Sequence, residues 1–140
     1  MVDRNVVAAR IAAVRDAVER IRSLLPGDAD AFRSDRTARE VVTLNLFVAL
    51  QECLAIATHW LADAGWQVPQ TYGDAFRTLA EHGVIDSDLA ARLAAAAGLR
   101  NLIAHRYGVL DARRLHEIAG SGLDDLLDFA RAMAEAAEPG

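Results

Sequence analysis

Lysine is absent from this chain: all 15 basic residues are arginine. Any site that needs a cation must therefore use a guanidinium, whose planar fork suits phosphate. Cysteine occurs once, as Cys53. A lone thiol excludes an internal disulfide and is a poor start for a zinc site. Prolines number 3 and aromatics make up 6% of the residues, and β-branched residues are few beside alanine and leucine. That balance disfavours strands and favours helices. No uncharged apolar run approaches the ~20 residues of a membrane span. No signal-peptide pattern opens the chain, because MVDRNVVAAR carries charge early. A cytoplasmic location is the expectation. The net charge of −5 argues against a broad electrostatic nucleic-acid binder.

What is present suits one helical domain spanning residues 1–140. Hydrophobic residues make up 53% of the chain, enough to bury a real core. Val7, Ile11, Val14, Val18, Ile21 and Leu25 alternate at spacings of four and three, the seam of a first helix ending before Pro26-Gly27. A second helix is expected from about Asp30 to Leu61. Its centre is apolar on most sides but is interrupted by Asn45, Gln51, Glu52 and His59, so it reads as a buried bundle helix or a dimer interface. Thr71 with Asp74 opens a short third helix that Gly83 ends. Asp86 or Ser87 caps a fourth helix running to about Tyr107, and Asp111 caps a fifth. Gly120 and Gly122 break or kink that fifth helix. Short connections make neighbours antiparallel, so the expected fold is all-α, an antiparallel bundle of four or five helices.

Chemistry concentrates in Gly98-Leu99-Arg100-Asn101-Leu102-Ile103-Ala104-His105-Arg106-Tyr107. With about 100° of rotation per residue, Arg100 falls on the line of Leu89, Leu93 and Ala96, where an apolar stripe would place a leucine. A half-buried guanidinium needs a partner. Leu99, Leu102 and Ile103 share a second arc, read as core-facing, so that Leu102→Asp is expected to unfold the bundle. Asn101 and His105 lie four apart on one flank. Arg100 and His105 lie about 140° apart. One helix cannot close both around a small atom, but two copies across a two-fold axis can face each other in a groove. Arginine, histidine and a hydroxyl suit phosphodiester chemistry: the arginine holds charge on phosphate and the histidine moves protons near neutrality. RNA brings its own nucleophile, the 2′-hydroxyl. The residues also admit a structural reading, with Arg100 capping helix ends or bridging protomers, His105 satisfied by Asn101 and Tyr107 closing the core at a helix end. Arg113 and Arg114 follow the motif and are placed to contact RNA phosphates. Arg33, Arg36 and Arg39 recur at helical spacing and read as a solvated face, the alternative being a minor RNA-contacting patch.

RNLIAHRY resembles the Arg-x4-His-x-Tyr pattern of HepT proteins, a branch of the HEPN superfamily, with asparagine after the arginine. TYGDAFRTLAEHGVIDSDLAARL and ALQECLAIATHWL are similar to the family's flanking helices, and the likeness covers roughly residues 1–135. The resemblance implies a HEPN-like helical bundle that dimerises with the motif lining a cleft between protomers. It implies the toxin of a type VII-like toxin–antitoxin system, a ribonuclease needing no metal and no cofactor, acting on RNA such as tRNA or mRNA. By position, Arg100 would hold the scissile phosphate, His105 would be the general acid/base and Asn101 would fix the histidine or the phosphate. The implied partner is a minimal nucleotidyltransferase (MNT) antitoxin that transfers AMP to the motif tyrosine, here Tyr107. The added bulk and charge would exclude RNA. Arg106 departs from the family's usual acidic or variable residue and is a further candidate RNA contact. Gly120-Ser121-Gly122 departs from its usual stiffer sequence. The alternative is a non-catalytic helical subunit that presents substrate to a nucleotidyltransferase.

Overall fold

The computed structural model describes residues 2–106 and 110–138. Among them run seven helices: α1 (Arg4–Leu24), α2 (Ala29–Ser34), α3 (Arg36–Ala64), α4 (Tyr72–Glu81), α5 (Ser87–Arg106), α6 (Ala112–Ser121) and α7 (Leu123–Ala137). The described residues contain no strand.

Helix α1 begins where the Asp3 carboxylate accepts from the Asn5 and Val6 amides, the usual device for orphan N–H groups at a helix start. Val7, Ile11, Val14, Val18 and Ile21 of its seam are all buried, each contributing ~1.5–3 kcal/mol through burial. α1 packs along α3, with Arg10 paired to Glu52 at 3.0 Å.

The segment expected to be one helix from Asp30 to Leu61 is two. Asp35 adopts extended backbone angles; its N–H closes α2 on Ala31 and Phe32, and its carboxylate opens α3 by accepting from Ala38 N at 3.0 Å. One residue thus serves both helix ends, as aspartate's preference for N-caps allows. The break expected in the fifth helix falls at Gly122 and divides it into α6 and α7. A Cβ there would lie 2.9 Å from the Ile118 carbonyl oxygen, so the close turn requires glycine. Seven helices replace the expected four or five for these two reasons.

α3 is long and apolar enough to cross a membrane, but half of its most apolar stretch is buried against neighbouring helices. It ends at Gly65 (φ 73°), where the Trp66 N–H donates to Leu61 O at 2.9 Å. α4 ends in the same way at Gly83 (φ 76°), with the Val84 N–H on Leu79 O. α4 and α5 form a hairpin whose inner face meets α3 and α7, where Phe76 and Phe129 pack edge to face at 5.4 Å. α2 packs on α6 through Phe32 and His116, whose ring centroids are 5.6 Å apart. His116 Nε2 also lies 2.7 Å from the Pro26 carbonyl oxygen. Buried side chains from every helix join one hydrophobic core. Cys53 lies inside it, and burial, with Glu52 beside it, pushes the thiol upward in pKa and keeps it protonated.

Candidate active site

α5 changes character along its length. Leu89, Ala90, Leu93 and Ala97 are buried, whereas from Arg100 onward only Ile103 is. Leu102, expected on the core face, is 40% exposed. It lines a groove with Leu99, Leu110, Leu115 and Ile118, because α6 does not close over that arc. Ile103 alone anchors this part of the helix.

Arg100 sits half-buried at the edge of the apolar stripe. Its Nε donates to Gln51 Oε1 at 2.8 Å and its Nη1 to Asn101 Oδ1 at 3.0 Å. Its Cζ lies 5.4 Å from the Phe47 ring centroid and 5.1 Å from that of Tyr72, within the range of cation–π attraction. α3 thus supplies Gln51 and Phe47, and the start of α4 supplies Tyr72. Every one of these partners is neutral. Arg100 forms no ion pair among the described residues. Arg92 on the same helix differs, being paired to Asp125 at 2.8 Å; that hydrogen-bonded carboxylate raises its pKa. A half-buried cation held in a fixed pose by neutral groups alone lacks its counter-charge.

Asn101 and His105 are both exposed on one flank of α5. Asn101 turns its oxygen to Arg100 rather than to the histidine. The structure gathers Arg100 and Asn101 into one cluster and leaves His105 facing solvent, one turn beyond Asn101. Arg106 ends α5 and is exposed. Arg113 and Arg114 lie in the first turn of α6, where the Asp111 carboxylate caps the Arg113 amide at 3.0 Å. Arg114 approaches Glu117 at 3.8 Å. Tyr107 lies outside the described residues. Of the arginines expected to form a solvated face, Arg33 and Arg36 are exposed, but Arg39 is half-buried with Nε unsatisfied among the described residues. No group of three or more His, Cys, Asp and Glu side chains among the described residues could hold a metal ion.

Leu44, Phe47, Ile103 and Ala104, with Glu40 and Thr43, line a mainly apolar depression between α3 and α5, with Leu44 62% exposed. Sequence reasoning missed Phe47 and Tyr72. It noticed Gln51 only as a polar break in an apolar helix. That these three converge on Arg100 is a product of packing between helices.

Known proteins resemble this chain in sequence and in fold. The mRNA nuclease HepT of Shewanella oneidensis is 29% identical over 125 residues, covering 89% of this chain and 93% of that protein. A solved structure of a tri-AMPylated Shewanella oneidensis HEPN toxin in complex with MNT antitoxin superposes with a TM-score of 0.85 at 28% identity, over 96% of this chain and 99% of that one. The fold alone is shared with YutE, a cytosolic protein of unknown function from Bacillus subtilis, at 14% identity and a TM-score of 0.84. The family model described as ribonuclease HepT-like matches residues 14–133. The chain belongs to the ribonuclease HepT-like family.

Proposed function

We propose that this single-domain protein is the toxin of a toxin–antitoxin pair and acts as a metal-independent endoribonuclease. The observation that carries the reading is Arg100, a half-buried guanidinium without a carboxylate, pinned by Gln51 and Asn101 and packed against two aromatic rings. Phosphate supplies the missing charge. Its negative charge grows as the 2′-hydroxyl attacks phosphorus, so a fixed cation favours the transition state. His105 moves the protons: it takes one from the 2′-hydroxyl or delivers one to the departing 5′-oxygen. The bond to the 5′-oxygen breaks as the bond from the 2′-oxygen forms, leaving a 2′,3′-cyclic phosphate. The exposed Arg106, Arg113 and Arg114 contact flanking phosphates.

Arg100 and His105 are about 140° apart on α5, so the working cleft is formed by two copies of the chain. The apolar depression around Leu44 and Phe47, whose wall includes Ala104, the residue before His105, is the contact surface that supports this arrangement. Regulation follows the AMPylated relative: an MNT-type nucleotidyltransferase places AMP on Tyr107 and thereby excludes RNA from the cleft. Both proteins work in the cytoplasm.

The test is cleavage of cellular RNA by purified, antitoxin-free protein in the presence of chelator, compared with His105→Ala. Cleavage that survives chelation and falls at least ~100-fold in the folded variant supports the reading. Absence of cleavage by a dimer whose intact mass shows unmodified Tyr107 would replace it with a subunit that only presents substrate to the nucleotidyltransferase.

A further inference from the structure

A second groove opens beside Arg100. It has a volume of about 660 Å³ and lies between the C-terminal half of α3, the loop leading to α4, and Asn101 of α5. Three features of its wall stand out. The first is continuity: Tyr72 and Asn101, both in contact with Arg100, also line the groove. The second is charge: none of its lining residues is acidic or basic, although 25% of the chain is charged. The third is rigidity on one side and exposure on the other. Trp66 is held by its backbone bond to Leu61 and by its ring stacking on His82, at 3.7 Å and 5° from parallel. Val68, across from the solvent, is 82% exposed, an aliphatic side chain that no core contact explains.

The hydrogen-bonding groups of the wall are also uncommitted. Gln70 is exposed and its amide bonds to no described residue. Asn101 uses its oxygen on Arg100, and its amide nitrogen makes no bond to a described residue. Side-chain amides offer a donor and an acceptor together, the pattern needed to read a base edge. Apolar and aromatic surfaces provide the stacking on which unpaired bases settle. An uncharged slot next to an unpaired cation matches a neutral planar ring attached to a phosphate.

We propose that this groove is a nucleobase subsite: it holds the base of the nucleotide whose phosphate Arg100 binds, and Gln70 sets which base is accepted. The proposal rests on the ribonuclease reading for its substrate and adds the source of sequence preference. It places Gln70 and Val68 among the specificity-determining residues, apart from the groups that act on phosphorus.

The experiment has two arms, both with the full chain. In the first, oligonucleotides carry one ribonucleotide linkage in a deoxy strand, with each of the four bases in turn on either side of it. Wild type should prefer one base on one side by on the order of tenfold. Gln70→Ala should reduce that ratio to below about threefold, while His105→Ala shows no cleavage on any strand. In the second arm, an all-deoxy, uncleavable strand carries 2-aminopurine at the same position. Its fluorescence should fall on binding to His105→Ala protein, and Val68→Ser should weaken that quenching several-fold. His105-dependent cleavage with an unchanged preference in Gln70→Ala and no quenching would overturn the subsite and leave the ribonuclease reading standing. Quenching without cleavage by wild type would do the reverse. Displacement of the 2-aminopurine strand by an MNT-type nucleotidyltransferase whose contact is lost in Val68→Ser, with base preference unaltered, would make the groove a protein-docking surface and overturn the proposal.

Discussion

Helix α1 and the second half of α5 carry similar apolar residues and use them in opposite ways. In α1 every residue from Val7 to Ile21 that follows the seam is buried. In α5 from Arg100 onward, Leu102 faces a groove, Ala104 lines an apolar depression and only Ile103 is buried in the core. Two of the three arginines of α5 repeat the contrast. Arg92 has a carboxylate partner and Arg100 has none. A scaffold element satisfies its own needs within the fold; a working element keeps some of them open for a ligand or a second copy.

The comparison can be broken most decisively by placing a carboxylate in each element. Ile21→Asp should abolish cooperative melting, because an unpaired buried charge costs several kcal/mol against a total stability of ~5–15 kcal/mol. Leu102→Asp should keep a cooperative helical melt, shifted by no more than ~1 kcal/mol; unfolding of this variant would show that the groove face belongs to the scaffold after all. Leu44→Asp comes next. It should halve the mass measured by light scattering and remove RNA cleavage while the monomer keeps its helical spectrum. A dimer that persists would move the contact surface elsewhere.

Smaller effects sharpen the picture around Arg100. Gln51→Glu puts a carboxylate where a neutral amide now meets Nε at 2.8 Å. It supplies internally the charge that phosphate would bring, so RNA binding should weaken on the order of tenfold with little change in melting temperature. Unaltered binding would argue that Arg100 is structural. The smallest effect belongs to Arg92→Ala. Losing its solvent-screened pair with Asp125 should barely move the melting temperature and leave cleavage unchanged.

Local signals made much of the fold legible in the sequence. The seam of α1, the caps at Thr71, Asp86 and Asp111, the left-handed Gly83 and the break near Gly122 depend on neighbours in the chain, and each stands in the structure. Asp35 was legible in principle as an N-cap, but the continuous apolar pattern on either side of it favoured one long helix. Leu102 shows the limit of periodicity, which says which residues share an arc but not whether another helix covers it. For the same reason the motif pointed to Arg100 while its cage stayed hidden. Gln51, Phe47 and Tyr72 come from other helices, and no local spacing records that meeting.

The double role of Asp35 reaches beyond helix ends. Without that corner, residues 29–64 would run on as one rod of about 54 Å, carrying Phe32 away from His116. Phe32 and the Pro26 carbonyl help moor α6 beside its buried Leu115 and Ala119, and α6 carries Arg113 and Arg114 beyond the motif. The corner therefore acts as a strut: a residue with no part in the proposed chemistry helps hold α6 against α2. On the proposed function, sequence drift around Asp35 and Phe32 is a route by which a grip on RNA can be retuned without touching any of the groups proposed to contact it.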